Sequence, residues 1–189
     1  MLRNLLGAAA LTLLATAAWA EGDGPGPNLV IEVDGVAKGE VVIDLSPDLA
    51  PLAVAQIVAL AKSGAYDNVV FHRVIDGFMA QTGDVQYGKK GGDTTMAGMG
   101  GSDLPDVPAE FSTAAFERGI VGMARSSDPN SANSQFFIMF APGDFLNGQY
   151  TVVGKVISGM EVVDQIKRGD GANGEVTEPD VMTKVTVQE

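Results

Sequence analysis

The chain changes its hydrophobic period several times. In "NLVIEVDGVAKGEVVIDL" (28–45), apolar and polar positions alternate at period two on both sides of Asp34-Gly35, which predicts a β-hairpin. In "SPDLAPLAVAQIVALAKSG" (46–64), Leu52, Val54, Gln56, Ile57, Val58, Ala59, Leu60 and Ala61 suit a largely buried helix. Ser46 or Asp48 stands near its start and Gly64 just past its end. Strands are predicted over 69–74 and 78–82, then at "GIVGMAR" (119–125), "SQFFIMF" (134–140), "TVVGKVI" (151–157) and "VMTKVTV" (181–187). "APGDFLNGQY" (141–150) reads as a turn with one helical turn, and "GMEVVDQIKRG" (159–169) as a second helix. Residues 83–108 are rich in glycine and proline. They predict a long surface loop, a feature that in compact domains tends to be functional or mobile. Eight short strands, two helices and no βαβ alternation point to an antiparallel barrel or sandwich with helical plugs. Closing the sheet would remove its unpaired edges.

The first twenty residues change that picture at one end. Arg3 precedes the uncharged, mostly apolar "NLLGAAALTLLATAAWA", and "AWA" ends it with the small residues that favour cleavage after Ala20. Its apolar core is short for a bilayer span, which takes about 20 residues. We therefore expect residues 1–20 to be a signal peptide, 21–27 a flexible leader and 28–189 one domain, exported to the periplasm. The formal charge of −12 argues against nucleic acid, whose affinity comes from neutralising phosphates. The chain has no cysteine. That excludes thiol nucleophiles, zinc–thiolate sites and a lipid-modified cysteine.

Candidate chemistry is sparse. His72 is the chain's single histidine, no G-x-S-x-G elbow accompanies it, and "DGANGE" lacks calcium-loop spacing. Hydrolytic, metal and phosphate-loop sites are all poorly supported. In "VVFHRVIDGFMAQTGD" (69–84), Arg73 shares a strand face with Phe71 and Ile75. In "SQFFIMF", Gln135, Phe137 and Met139 share one face and Phe136, Ile138 and Phe140 the other. A strand apolar on both faces is covered on both. Gln135 beside Phe137 fits a ligand groove with an apolar floor and few polar groups.

"FHRVIDGFMAQTGD", "GMARSSDPNSANSQFFIMF" and "FLNGQYTVVGKV" resemble the signature segments of the cyclophilins, the peptidyl-prolyl cis–trans isomerases, and most of all their bacterial exported branch. The likeness runs from Asn28 to Val187. It implies a closed eight-stranded antiparallel barrel capped by two α-helices, with the substrate groove outside. It implies Arg73, Gln81 and Gln135 as the catalytic set. Phe78, Met79, Phe137 and Leu146 match the proline pocket, and Ala124 and Arg125 the polar rim and the backbone that holds the peptide. Phe145 and Tyr150 complete the substrate-binding set, and His72 is adjacent. Phe145 stands where cyclosporin-sensitive members carry tryptophan, which implies weak cyclosporin binding at most because an indole N–H and area are lost, and Tyr150 stands where many carry histidine. Arg125 stands where many relatives have asparagine, and Asp76 replaces the usual proline before Gly77. The resemblance implies no cofactor and no metal, a monomer, and proline-containing polypeptides as partners.

Overall fold

The computed structural model describes residues 24–171 and 173–189. The expected signal peptide lies outside the described residues. Of the leader, residues 24–27 lie along the next hairpin: Gly24 N donates to Asp44 Oδ2 and Leu45 N to the Pro27 carbonyl, at 2.9 and 3.1 Å.

β1 (Asn28–Asp34) and β2 (Gly39–Leu45) form the predicted hairpin, with Val33 opposite Gly39. The other strands are β3 (Val69–Val70), β4 (Arg73–Ile75), β5 (Met79–Thr82), β6 (Ile120–Met123), β7 (Phe136–Met139), β8 (Val152–Ser158) and β9 (Val181–Gln188). All pair antiparallel in one sheet of order β3-β9-β1-β2-β8-β6-β7-β5-β4. This corrects the closed eight-stranded barrel. The predicted strand 69–74 breaks at Phe71-His72, so β3 pairs with β9 while β4 pairs with β5. The count becomes nine, and the sheet is a curled half-barrel whose two terminal strands are neighbours in sequence but do not ladder with each other.

α1 (Pro51–Lys62) buries Ala53, Val54, Ile57, Leu60 and Ala61 against the concave side, which Leu29, Ile31, Ile43, Phe136 and Ile138 also line. It is one-sided rather than largely buried, since Leu52 is 53% exposed. Neither Ser46 nor Asp48 caps it: its N-cap, Ala50, has no side-chain bond to give. The Glu110 carboxylate does this from afar, accepting Leu52 N and Ala53 N at 3.0 and 2.9 Å. The first free N–H groups of a helix need such acceptors. Gly64, at φ +74°, ends the helix as predicted. α2 (Met160–Val163) is shorter than expected. The chain leaves it in turns, and the buried Asp180 carboxylate takes Lys167 N at 2.6 Å.

The two faces of β7 divide as its alternation predicts. Phe136, Ile138 and Phe140 join the main core. Phe137 and Met139 join a second, smaller cluster with Met79, Phe116, Leu146 and Val152. That second cluster is the floor of the candidate site.

Candidate active site

Three adjacent strands place the central side chains. Arg73 on β4 pairs with Gln81 on β5, and Gln81 pairs with Phe137 on β7. Residues directly opposite in antiparallel strands project from the same face. A guanidinium, an amide and an aromatic ring therefore stand in one row. The row continues to Gly122 on β6. Without a side chain there, Phe116 lies over the strand and stacks on Phe137, centroids 5.7 Å apart at 22°.

Around this row is a cup of about 420 Å³, lined by Arg73, Phe78, Met79, Gln81, Ala124, Arg125, Phe137, Phe145, Leu146, Gln149 and Tyr150. Met79, Phe137 and Leu146 are buried and form its floor. Leu146 arrives on a 3₁₀ turn, Asp144–Leu146. Phe145, on the same turn, is 64% exposed, and its ring leans on Phe78 at 5.4 Å. Tyr150 meets Phe137 edge-on at 5.9 Å.

The polar rim is a one-way chain of hydrogen bonds. Arg73 Nη1 donates to Gln81 Oε1 at 3.1 Å. Gln81 Nε2 donates to Gln135 Oε1 at 2.9 Å. Gln135 Nε2 donates to the carbonyls of Gly98 and Gly100 at 3.0 and 2.7 Å. The N–H groups of those glycines donate to Asp84 Oδ2 at 2.7 and 2.9 Å. Asp84 is fully buried, and its Oδ1 accepts Gln86 N and Tyr87 N. The loop expected over 83–108 is thus tied to the site by a carboxylate at its root. A guanidinium can only donate, so each amide has a single satisfactory orientation. Arg73 Nε is held by the Asn173 carbonyl at 2.9 Å. Burial lowers the Arg73 pKa, yet a guanidinium keeps its proton throughout the physiological range.

Gln135 is outside the cup. It lines an adjoining cavity of about 320 Å³ with Met99, Asn133 and Ser134, and the two spaces share Gln81, Ala124 and Arg125. Ala124 N donates to the Gln135 carbonyl at 2.9 Å, so that N–H is engaged within the sheet rather than offered to a peptide. Arg125 lies over the Tyr150 ring at 4.4 Å and donates to the carbonyls of Ser126 and Gln149. His72 lines a different cavity of about 220 Å³, with Thr94, Thr95, Glu175 and Thr177. It is 8% exposed, and among the described residues neither ring nitrogen has a partner in hydrogen-bond geometry. Burial pushes its pKa down to about 4; the carboxylate of Asp84 and weaker influences from the Val70 carbonyl and Gln135 oppose the shift. Among the described residues, no group of three or more His, Cys, Asp or Glu is placed to hold a metal.

Four contributors were not foreseen: Asp84, Phe116, Gly122 and Gln149. Asp84 had a signal, since an Asp at a loop's start commonly accepts the N–H two residues on. Phe116 sits in "STAAFERG", which has no periodicity to place it.

The pattern for cyclophilin-type peptidyl-prolyl cis-trans isomerases matches residues 29–187. The probable peptidyl-prolyl cis-trans isomerases of Brucella suis and Brucella abortus are 55% and 54% identical over 99% of this chain and 96% of their own length. A peptidyl-prolyl cis-trans isomerase of Arabidopsis thaliana is 37% identical over 72% of this chain and 82% of its own. Among solved structures, a cyclophilin of Hirschia baltica superposes with a TM-score of 0.70 at 26% identity, covering 87% of this chain and 74% of that one. A Cryptosporidium parvum cyclophilin type isomerase, crystallised in the presence of the dipeptide Ala-Pro, gives 0.72 at 28%, covering 86% and 99%. With relatives of this kind 54–55% identical along nearly the whole chain, a family match across residues 29–187 and the same fold, the chain belongs to the cyclophilin-type peptidyl-prolyl cis-trans isomerases and is an enzyme of that kind.

Proposed function

We propose that the enzyme accelerates rotation about X-Pro bonds in exported or unfolded polypeptides, with Arg73 stabilising the twisted amide above an apolar proline cup. The observation that carries this reading is the Arg73 guanidinium, fixed by the Gln81 and Asn173 oxygens at the rim of a cup floored by Met79, Phe137 and Leu146.

The barrier to be lowered is about 18–20 kcal/mol, and it arises from amide conjugation. No covalent bond breaks. A catalyst must bind the rotated amide better than either planar form. Rotation ends conjugation and makes the prolyl nitrogen pyramidal, with a lone pair that can accept a hydrogen bond. A permanently charged, forked donor suits that acceptor, and Arg73 supplies one. Phe78, Met79, Phe137 and Leu146 clamp the ring, while Gln81, aimed by Gln135, guides the moving carbonyl. Such contacts gain strength where water is excluded. A gain of about 7 kcal/mol corresponds to roughly 10⁵-fold. Two or three contacts made only in the rotated state can supply that.

The test is a peptide assay coupled to a protease that cuts only the trans form, comparing wild type with Arg73→Ala. We expect Arg73→Ala to lose about 10²–10³-fold in kcat/KM, the usual cost of removing one transition-state donor. A variant that retains wild-type turnover overturns the Arg73 role. A wild type no faster than the uncatalysed reaction would leave a proline-peptide holdase.

The same reading extends to place and partners. The proposed leader directs the enzyme to the periplasm as a monomer, and N-terminal sequencing of protein from cell fractions tests cleavage after Ala20. Phe145 lacks an indole N–H, so cyclosporin binding is weak.

A further inference from the structure

We propose that Arg125 makes this enzyme selective for prolyl segments that carry a carboxylate on the amino-terminal side of the proline. The proposal rests on the isomerase reading above and names the substrate class of the same site.

Ion pairing over the surface singles out the groove. The chain carries 24 acidic and 12 basic residues, so a cation has carboxylates in excess to pair with. Arg118 and Arg168 do so, with Asp164 at 2.7 Å and Asp76 at 3.0 Å. The two arginines of the groove do not: among the described residues, neither Arg73 nor Arg125 has a carboxylate within ion-pair distance. Both are held by neutral oxygens instead. The groove is therefore a local positive spot on an acidic protein.

Arg125 is built to present its charge rather than to spend it. The Ser126 carbonyl takes Nη1 at 2.8 Å, the Gln149 carbonyl takes Nη2 at 2.9 Å, and the Tyr150 ring supports the guanidinium plane. Nε is buried against the protein. A guanidinium has five N–H donors, so one remains on each terminal nitrogen. These two are in fixed positions, so little side-chain entropy is lost when a ligand pairs with them.

The position of Arg125 selects the side of the proline. It lines both the cup and the adjoining cavity, with Gln81 and Ala124 as the shared wall. A peptide leaving the cup over this wall runs past the Gln81 and Gln135 amides. On the isomerase reading Gln81 guides the carbonyl that swings during the reaction, and that carbonyl belongs to the residue before proline. Arg125 therefore meets the side chain of the residue immediately before proline or of the one preceding it.

Two electrostatic effects oppose each other. The whole-chain charge of −12 favours cationic peptides by long-range steering, an effect that salt suppresses. The fixed cation in the groove favours anionic ones at contact. A partly exposed pair contributes about 2- to 5-fold in affinity. Attraction for Glu and repulsion for Lys together should give a Glu-to-Lys ratio near tenfold at the responsive position.

The experiment measures kcat/KM in the protease-coupled assay for peptides carrying Glu, Gln or Lys, varied one position at a time over the two residues before proline. We expect Glu to exceed Gln and Gln to exceed Lys at one position, a ratio that shrinks as salt is raised, and collapse or reversal of the ratio in Arg125→Gln. A ratio within twofold at both positions, with normal turnover of the Gln peptides, overturns the inference and leaves the isomerase reading intact. A Glu preference that survives Arg125→Gln also overturns it, because Arg73 or another group would then be responsible. Absence of turnover on every peptide would instead sink the isomerase reading on which the inference rests.

Discussion

Gly122→Ala tests whether the shape of the cup floor sets the rate. Gly122 lies opposite Phe137 across β6 and β7. A Cβ built there meets Phe116 Cε1 and Phe137 Cζ at 2.6 Å each. Ordinary carbon–carbon contact is about 3.5–4.0 Å, so each ring must recede from the new methyl by roughly 1 Å. Phe116 is 1% exposed and closed in, with its N–H tied to Asn147 Oδ1 at 2.8 Å. Phe137 borders the cup and yields more readily than Phe116, and its movement raises the floor. Overpacking of this kind costs about 1–3 kcal/mol of stability. A misplacement approaching 1 Å in the site costs up to about 10²-fold in rate. The variant should therefore unfold at a lower urea midpoint yet remain folded at 25 °C, as circular dichroism will show. In the coupled assay its kcat/KM should fall by about 10- to 100-fold. The double variant Gly122→Ala/Phe116→Leu opens space behind the new methyl and should recover much of the rate. Full activity in the single variant would refute the reasoning. So would a loss that Phe116→Leu does not relieve in a folded protein.

Three further outcomes follow from named contacts. Glu110→Gln keeps one oxygen at the start of α1 and turns an amide N–H toward the other backbone donor, at a cost of about 1–2 kcal/mol; the urea midpoint should drop while kcat/KM stays unchanged. His72 binds a proton only near pH 4 when folded but near 6.5 when unfolded, so stability is complete above about pH 6.5 and is lost as pH falls toward 4, by about 3 kcal/mol. Urea titrations at pH 7 and 4.5 should show this loss in wild type and a shallower one in His72→Gln, while kcat/KM stays flat from about pH 6 to 9 because Arg73 keeps its proton. Asp84→Asn turns a donor toward N–H groups that need an acceptor, and should lower kcat about tenfold by loosening Gln135. In a Gln135→Ala background the same change should add little, since both act on one chain of contacts.

The parts of the fold legible in the sequence are those where alternation alone decides the outcome. The β1–β2 hairpin and the two-faced β7 follow from period two, and Gly64 closes α1 where a left-handed residue is required. Misreadings arise where a distant residue intervenes. The 69–74 run is uniformly strand-like, but Phe71 N is taken by the Asp180 carbonyl and Val70 N by the Gly88 carbonyl, and the strand divides between two partners. The cap of α1 comes from Glu110, more than fifty residues away, which no local cap rule could supply. At the site, the family motifs named ten of the eleven residues that line the cup. Gln149 was absent because its role is to offer a backbone carbonyl to Arg125, and a carbonyl leaves no trace in residue type.

The arrangement of the rim explains why a site with so few titratable groups fits this reaction. Isomerisation requires donors that are correctly aimed, and a glutamine amide can be aimed two ways. Flipping Gln81 would turn its NH₂ toward the Arg73 guanidinium, donor against donor, while leaving the Gln135 oxygen facing an oxygen. Flipping Gln135 would set its oxygen against the two glycine carbonyls. Each orientation is enforced from both ends, by a group that can only donate and by a buried carboxylate that accepts four backbone N–H groups. Such chains polarise one another in a low-dielectric setting, so their order is stronger than any single bond in them. None of the links requires a proton to move. The glycines at 98 and 100 are part of this order: a Cβ at residue 98 would press on the His72 ring at 3.1 Å, and one at 100 on Asp84 Oδ1 at 2.6 Å. The loop is glycine-rich there because its backbone, not its side chains, forms the last link between Arg73 and Asp84.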